Sequence, residues 1–117
     1  MNIGIVTVTY NSEKYIADQI RAVEAASASF SCRQVVVDNA SADKTPDIVR
    51  NFPNVFLIEN TNNVGFSAAN NQGLRHALSD YVLFLNPDMR PDSGMLRELV
   101  SACEKDASVV IAGPRLV

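Results

Sequence analysis

The sequence predicts an α/β protein in which a mostly parallel sheet carries helices on both faces. Short apolar segments alternate with segments of helical spacing along the chain, as expected for repeated strand–helix units. The apolar segments are continuous rather than alternating, which is typical of strands buried on both faces of a parallel sheet. The 117 residues suit one domain with its own core, and no linker or repeat divides them.

Five strands are predicted from runs of β-branched and aliphatic residues. They are 3–8, 34–38, 55–58, 81–85 and 109–112. The segment Tyr81–Leu85 is five apolar residues long and stops abruptly at Asn86-Pro87-Asp88. Such an ending indicates either a plain turn or a strand that presents a carboxylate to a ligand.

Four helices are predicted between these strands. Ser12 is the predicted N-cap of the first, and Thr45 is the predicted N-cap of the second, with Pro46 at its first helical position. The second helix is expected to end by Phe52, and Asp92 is the predicted N-cap of the fourth.

Each of three helices shows apolar residues at helical spacing, which predicts the face that packs on the core. These residues are Ile16, Ile20 and Val23 in the first, Phe66, Ala69, Ala77 and Leu78 in the third, and Leu96, Leu99, Val100 and Cys103 in the fourth.

Composition excludes several classes of function. The net charge is −3 and basic residues are not clustered, so nucleic-acid binding is not expected. Neither a signal peptide nor an apolar run of the ~20 residues needed for a membrane span is visible, which predicts a cytoplasmic protein.

Cys32 and Cys103 fit no metal-ligand pattern and are expected to be reduced thiols. His76 is the only histidine and lies mid-helix, so no Ser/His/Asp set can be assembled.

Polar residues follow four of the predicted strands at the point where each strand ends. Ligands of parallel sheets bind beyond the carboxyl ends of the strands, so these segments are expected to form one site. The segments are 9–11 (Thr9, Tyr10 and Asn11), 38–39 (Asp38 and Asn39), 60–71 and 86–88.

Two of these segments have an alternative, purely local explanation. Asp38 could accept hydrogen bonds from the turn that follows it, and Asn63 and Gly65 could supply left-handed backbone for a turn. Asn70 and Asn71, however, lie inside a helical pattern where Asn is unfavourable. Side-chain amides donate and accept together, which suits the edge of a base or a ribose hydroxyl.

Asp88 is the candidate metal ligand. Mg²⁺ takes one or two protein carboxylates and completes its shell with water and substrate phosphates. A metal would also allow a chain of net charge −3 to bind a nucleoside diphosphate without a basic pocket. Neither a G-x-G-x-x-G sequence after the first strand nor a Walker sequence is present, which disfavours dinucleotide and P-loop enzymes.

The motifs together resemble one family. The four segments are Val8-Thr-Tyr-Asn11, Val37-Asp-Asn-Ala-Ser-Ala-Asp43, Asn63-Val-Gly-Phe-Ser-Ala-Ala-Asn-Asn-Gln-Gly73 and Leu85-Asn-Pro-Asp88. Their order and spacing resemble the inverting family 2 glycosyltransferases, most closely the rhamnosyltransferase-like branch. The resemblance covers nearly the whole chain.

This resemblance implies a Rossmann-like glycosyltransferase A-type fold that binds a nucleoside-diphosphate sugar, dTDP-rhamnose or a UDP-sugar. By analogy Thr9 and Tyr10 line the nucleoside pocket and Asp38 hydrogen-bonds the base. The ribose and diphosphate are bordered by Asn63, Gly65 and Asn70. The activity implied is metal-assisted hexosyl transfer, with inversion, to a glycan or lipid-linked acceptor in polysaccharide biosynthesis.

Two departures from the family pattern affect these expectations. Asn86 replaces a carboxylate found in many members, so ligation of Mg²⁺ or Mn²⁺ is expected to rest on Asp88. The family is also about twice this length, and its general base follows the fifth strand. The chain is therefore expected to be the donor-binding half, apparently truncated after that strand, with weak or no transfer activity and its catalytic base beyond Val117.

Two other functions are alternatives, and a homodimer is a further possibility for the assembly. A non-catalytic module that binds nucleotide sugars is one alternative. A receiver-like domain is another, although 9–11 and 60–61 lack the acidic residues that such a domain needs. Homodimers could form through an unpaired strand edge, because such edges recruit further strands.

Overall fold

The computed structural model describes residues 2–106, 108 and 113. Four strands and four helices alternate along this part of the chain. They are β1 (Asn2–Thr9), α1 (Ile16–Ala26), β2 (Ser31–Asp38), α2 (Thr45–Arg50), β3 (Phe56–Glu59), α3 (Phe66–Ala77), β4 (Tyr81–Phe84) and α4 (Ser93–Lys105), with a single 3₁₀ turn at Ser27–Ser29. The predicted fifth strand, 109–112, lies outside the described residues.

The four strands form one sheet in the order β3-β2-β1-β4, with all neighbours parallel. The chain first moves outward from β1 to β3 and then crosses back to place β4 on the other side of β1. The reversal creates a switch point between β1 and β4, where ligands of open α/β sheets bind. A receiver-like domain has β3 next to β1, so this strand order excludes that alternative.

Helices cover both faces of the sheet, as the sequence predicts. On one face, α3 packs over a cluster of Val6, Val35, Val37, Ala69 and Ala77. On the other face, α1 and α2 share a cluster around Ile20, Val36 and Val49. The fourth helix lies on the same side as α1, because Val100 packs against the cluster that contains Ile3, Ile5 and Val23.

Gly73 allows α3 to approach the sheet closely. A Cβ built at this position would lie 2.4 Å from Val6 Cγ1 and 3.2 Å from Val37 Cγ2. Both neighbours are core side chains in adjacent central strands, so neither can move away freely. The close approach fixes the height of α3 above the sheet and the position of the loop that precedes it.

Two of the three predicted N-caps are wrong, and one is confirmed. The first helix begins at Ile16 after Tyr15, and the Ser12 hydroxyl turns back to the backbone of Tyr10. Thr45 is the first residue of α2 rather than its cap, because its hydroxyl bonds to Asp43 and accepts from the Ser12 N–H. At α4, Asp92 Oδ1 accepts from the Met95 N–H at 2.7 Å, as predicted.

The helical faces are confirmed except at the two ends of α3 and in α4, where Leu99, Val100 and Cys103 are only half-buried. Ile16, Ile20, Val23, Ala69, Ala77 and Leu96 are buried, whereas Phe66 is 59% and Leu78 73% exposed. Phe66 begins α3 at the sheet edge and Leu78 follows its last turn, so both lie beyond the strands that the helix covers. The second helix ends at Arg50, as predicted.

The prediction that β4 is buried on both faces is wrong for the described residues. Phe84 is 51% exposed, while Leu85 after the strand is buried. The strand is the last of the described sheet, and α3 packs mainly over β1 and β2. Among the described helices, none combines the length and apolar character required to cross a bilayer.

Candidate functional site

The predicted polar segments meet at the carboxyl edge of the sheet. Parallel pairing aligns Thr9 with Asp38 and Asp38 with Glu59 at the last pair of each ladder. On the other side of β1, Leu85 N–H donates to Val6 O at 2.9 Å and extends the pairing to the residue before Asn86. The segments that follow β1 and β4 therefore flank the switch point.

Asp38 is buried at this edge and holds the turn that follows it. Its side chain is 2% exposed. Oδ1 accepts from Thr9 Oγ1 at 2.8 Å and from Ser41 Oγ at 2.6 Å, and Oδ2 accepts from the Ser41 N–H at 3.0 Å. The local turn considered as an alternative for Asp38 is therefore present. A carboxylate offers about four acceptor positions, so Oδ2 retains one for a ligand.

The loops after β1 and β2 are joined by reciprocal hydrogen bonds. Asn11 N–H donates to Ser41 Oγ at 2.8 Å, and Asn11 Oδ1 accepts from the Ala42 N–H at 2.8 Å. Both loops contain a left-handed residue other than glycine, Asn11 at φ 49° and Ala40 at φ 60°. Such backbone persists only where its surroundings hold it. The bonded loops place Tyr10 with 55% of its side chain exposed.

Asp43 and Glu13 extend this connection. The Asp43 carboxylate accepts from the Glu13 N–H at 3.2 Å and from the Thr45 N–H and hydroxyl at 2.9 and 2.5 Å. Glu13 in turn accepts from the Lys44 N–H at 3.1 Å. Burial raises the pKa of the Asp43 carboxyl, but the bonds from Thr45 and Glu13 outweigh burial and hold this pKa below its usual value.

Asn39 lies on the opposite side of the sheet from Asp38. Its side chain is 3% exposed. Nδ2 donates to Gly65 O at 3.1 Å, and Oδ1 accepts from Asn60 Nδ2 at 3.1 Å and from the Val64 N–H at 3.3 Å. The amide therefore binds the loop that leads into α3.

Asn63 and Gly65 form the entry to α3. The Gly65 N–H donates to Asn63 Oδ1 at 2.9 Å, and Gly65 has a φ of 87°, which favours glycine. Gly65 therefore has the left-handed backbone considered for this pair, whereas Asn63 does not and holds the turn through its side chain. Both residues are exposed at the sheet edge. Asn70 lies one turn into α3 and is half-buried, whereas Asn71 is exposed.

Asn86, Pro87 and Asp88 form a turn that presents a carboxylate. The Met89 N–H donates to Asn86 O at 3.1 Å, which closes a β-turn with Pro87 at its second position. Asn86 and Asp88 are exposed. Each of the four ion pairs found in the described part of the chain leaves Asp88 out. The two explanations of this strand ending, a plain turn and a carboxylate presented to a ligand, are therefore compatible, because the turn itself exposes Asp88.

The donor groups at this turn fit a metal that is shared with a substrate. Among the described residues, 2–106, 108 and 113, no group of three or more His, Cys, Asp or Glu side chains is arranged to hold a metal ion. Mg²⁺ and similar ions accept a site of one or two carboxylates when water and phosphates complete the shell. Asp88, an exposed single carboxylate, suits that arrangement and does not suit a closed all-protein site.

Three groups of residues support the site through contacts that the sequence did not predict, although Asn60 itself lies in the predicted segment 60–71. Ser41 holds both Asp38 and Asn11. Asn60 and Gln72 form a reciprocal amide pair, with bonds of 2.8 and 2.9 Å. The polar residues Thr7, Gln19 and Gln34 are bonded in the core under α1. For Thr7, Gln19 and Gln34 the local signal was a polar residue in an otherwise apolar strand or helix face. Ser41 and Asn60 lie in loops and gave no such signal.

His76 packs on the outer edge of the sheet, away from the polar segments. The His76 ring stacks on the Phe56 ring with centroids 4.9 Å apart, and the Arg33 guanidinium lies 5.7 Å from the centroid of the Phe56 ring. His76 is exposed, and its stacking contact with Phe56 gives it a packing role on the outside of the sheet.

The fold and the polar edge define a doubly wound α/β protein whose candidate ligand site lies at the switch point. Residues 4–117 match the model of the glycosyl transferase family 2. The chain belongs to glycosyltransferase family 2. The family predicted from the four motifs is confirmed, and the rhamnosyltransferase-like branch remains a prediction.

One curated relative and two solved structures illustrate the similarity. Dolichyl-phosphate beta-glucosyltransferase ALG5A of Trichomonas vaginalis is 31% identical over 97 residues, which are 74% of this chain and 30% of that protein. The structure of S. aureus TarS 1-349 in complex with UDP-GlcNAc matches with a TM-score of 0.76 and 28% identity, over 90% of this chain and 32% of that chain.

The second structure is the mannosyltransferase PcManGT from Pyrobaculum calidifontis in complex with GDP-Man and Mn²⁺. It matches with a TM-score of 0.76 and 28% identity, over 86% of this chain and 32% of that chain. The predicted glycosyltransferase A-type fold is therefore confirmed. The chain spans 30%, 17% and 20% of the length of the first three curated relatives it matches.

Proposed function

We propose that this chain is the donor-binding half of an inverting, metal-assisted glycosyltransferase that uses a nucleoside-diphosphate sugar. The observation that carries the proposal is the arrangement of three segments at the carboxyl edge of the sheet. The loops after β1 and β2 are bonded to each other around the buried Asp38, and the turn after β4 exposes Asp88. Hydrogen-bonded polar loops and an exposed carboxylate suit the binding of a nucleotide through its base and its diphosphate.

The nucleoside is assigned to the loops after β1 and β2. Tyr10 provides an exposed aromatic ring on which a base can stack, next to the buried Thr9. The remaining acceptor position of Asp38 Oδ2 suits a ring N–H of a base, because the carboxylate offers no donor. Asn11 and Asn39 hold the adjoining loops in place.

The ribose and diphosphate are assigned to the entry of α3. Asn63, Gly65 and Asn70 border this region, and the Gly65 N-cap of α3 has no side-chain hydrogen bond. The first N–H groups of a helix favour anions, which supports phosphate binding next to the amide side chains.

The metal is assigned to Asp88, with the Asn86 amide beside it. When bound, Mg²⁺ or Mn²⁺ would neutralise charge on the departing nucleoside diphosphate. Asp88 supplies one formal negative charge and Asn86 none, so affinity for the ion depends on the phosphates that are bound with it. PcManGT is an example of a relative whose structure contains both a nucleotide sugar and Mn²⁺.

For the sugar and the acceptor, membership of the family supports candidates. A hexosyl donor such as dTDP-rhamnose or a UDP-sugar, and a glycan or lipid-linked acceptor, are consistent with the relatives. One of these, TarS, is a poly(ribitol-phosphate) beta-N-acetylglucosaminyltransferase, and its structure contains UDP-GlcNAc. No residue of this chain is assigned as the catalytic base.

Calorimetric titration of UDP, GDP and dTDP, each with and without Mn²⁺, tests the proposal. We expect one nucleotide to bind in a metal-dependent manner. Asp88→Asn should abolish the metal dependence, because the amide keeps the shape of the side chain and loses its charge. Glu98→Gln, which neutralises an exposed carboxylate on α4, is the matched control. Absence of binding to all three nucleotides, or unchanged metal dependence in Asp88→Asn, contradicts the proposal.

A further inference from the structure

The buried amide of Asn39 connects the end of β2 with the start of α3. Its Nδ2 donates to the Gly65 carbonyl, and its Oδ1 accepts from the Val64 N–H and from Asn60. The Gly65 carbonyl also accepts from the Ala69 N–H at 3.2 Å, which is the first hydrogen bond of the helix. One side chain therefore binds the loop and the first turn of α3 together.

Backbone groups determine which way this amide points. The Val64 N–H can only donate, and the Gly65 carbonyl can only accept. The oxygen of Asn39 must face Val64 and its nitrogen must face Gly65, so the site requires a donor and an acceptor from one side chain. A carboxylate of the same shape would place an oxygen about 3.1 Å from the Gly65 oxygen.

Further contacts keep the amide in place. The Asn39 N–H donates to Thr9 O at 2.9 Å, and the Asn60 N–H donates to Asp38 O at 2.9 Å. Behind Asn60, the reciprocal pair with Gln72 ties the same loop to the middle of α3. Asn39 Oδ1 already accepts two hydrogen bonds, so the amide oxygen has no acceptor position left for a ligand.

We infer that Asn39 is a positioning residue of the donor site. It acts through the Val64–Gly65 backbone to hold the entry of α3, because its side chain offers a donor and an acceptor together. The inference rests on the proposed function, because the ligand positioned is the nucleotide bound between Tyr10 and the start of α3. It assigns Asn39 no direct contact with that nucleotide.

Three variants separate this role from simple space filling. Asn39→Asp loses the donor and places a carboxylate oxygen against the Gly65 oxygen, whereas Asn39→Ala only loses the contacts. Asn54→Asp is the control, because it makes the same chemical change at an exposed turn. We expect Asn39→Asp to weaken nucleotide binding by at least about tenfold, since a buried carboxylate at this position loses the hydrogen bond to the Gly65 carbonyl and repels its oxygen. The loss should exceed that of Asn39→Ala, and Asn54→Asp should bind like the wild type.

A pH series on Asn39→Asp provides a positive test. Lowering the pH from about 7.5 to about 5 favours protonation of a buried carboxyl group, whose O–H can then donate to the Gly65 carbonyl. Affinity relative to the wild type at the same pH should therefore recover. If Asn39 only filled space, the affinity of Asn39→Asp would not recover at low pH. Asn39→Asp would also lose less affinity than Asn39→Ala.

Amide hydrogen exchange without ligand provides the second readout. We expect faster exchange at Val64 and Ala69 in Asn39→Asp than in the wild type, with unchanged exchange in β1. Absence of nucleotide binding by the wild type contradicts the proposed function, and the inference falls with it. Wild-type binding with equal affinity in Asn39→Asp overturns the inference alone, as does unchanged exchange at Val64 and Ala69.

Discussion

At the scale of single residues, two neighbours at the end of β2 hold different loops. Successive side chains of a strand point to opposite faces, so Asp38 lies on the α1 side and Asn39 on the α3 side. Asp38 bonds to Thr9 and Ser41, whereas Asn39 bonds to the loop before α3. The dipeptide therefore stabilises both sides of the candidate site from one position in the sheet.

The hydrogen bond from Thr9 to Asp38 is expected to contribute measurably to stability. Both side chains are buried, at 0% and 2% exposure. Thr9→Val keeps the shape and removes one donor from a buried carboxylate, which should lower the free energy of unfolding by about 1–3 kcal/mol. Urea denaturation measures this change. Thr61→Val, at an exposed position, is the control, and equal stability of the two variants would contradict the expectation.

At the scale of elements, the position of α3 depends on how closely its backbone approaches β1 and β2. Gly73→Ala would place a methyl group 2.4 Å from Val6 Cγ1. Overpacking of this kind costs about 1–3 kcal/mol, which exceeds the gain of roughly 1 kcal/mol in helix propensity. We therefore expect thermal denaturation to show a lower Tm for Gly73→Ala.

Asn71→Ala is the matched control for this helix. Asn71 is exposed, and Ala is the better helix former, so this variant should be as stable as the wild type or slightly more stable. Stabilisation by Gly73→Ala as well would mean that the helix can move away from the sheet and that the close contact does not determine its height.

The helix boundaries show where sequence patterns are sufficient at this scale and where they are not. Asp92 caps α4 as predicted, because an N-cap bond is local to three residues. The Thr45 hydroxyl is instead paired with Asp43, and it also accepts from Ser12, a residue 33 positions earlier. A partner that distant in sequence cannot be recognised from the composition of the helix start.

At the scale of the whole molecule, the connection between the loops after β1 and β2 predicts a loss of stability in acid. Hydrogen bonds from Thr45 and Glu13 outweigh burial and keep the pKa of Asp43 below its usual value in the folded state. The native state then binds fewer protons than the unfolded state. The stabilisation is therefore present above the ordinary Asp pKa of about 3.9 and is lost as pH falls through the folded-state pKa.

Urea denaturation as a function of pH measures this contribution. Asp43→Asn removes the titrating group, so its stability should fall less steeply below about pH 5 than that of the wild type. Glu98→Gln controls for the loss of one surface charge. An identical acid profile for Asp43→Asn and the wild type would show that Asp43 does not contribute to acid lability.

The amino-acid sequence by itself determined the alternation of strands and helices and the positions of the polar segments after the strands. These features follow from local periodicity and from the rule that parallel strands end at one edge. The residues Thr9, Tyr10, Asp38 and Asp88 could therefore be selected without a structure, and the family followed from the spacing of their motifs.

Only the tertiary structure decided the strand order and the partners of the buried polar groups. The crossover that places β4 beside β1 depends on contacts between distant segments, and it leaves Phe84 exposed in the described sheet. It also decides that Ser41, Asn60 and Gln72 support the site. Hydrogen bonds between residues tens of positions apart form only when the sheet brings their strands together, so no local pattern encodes them.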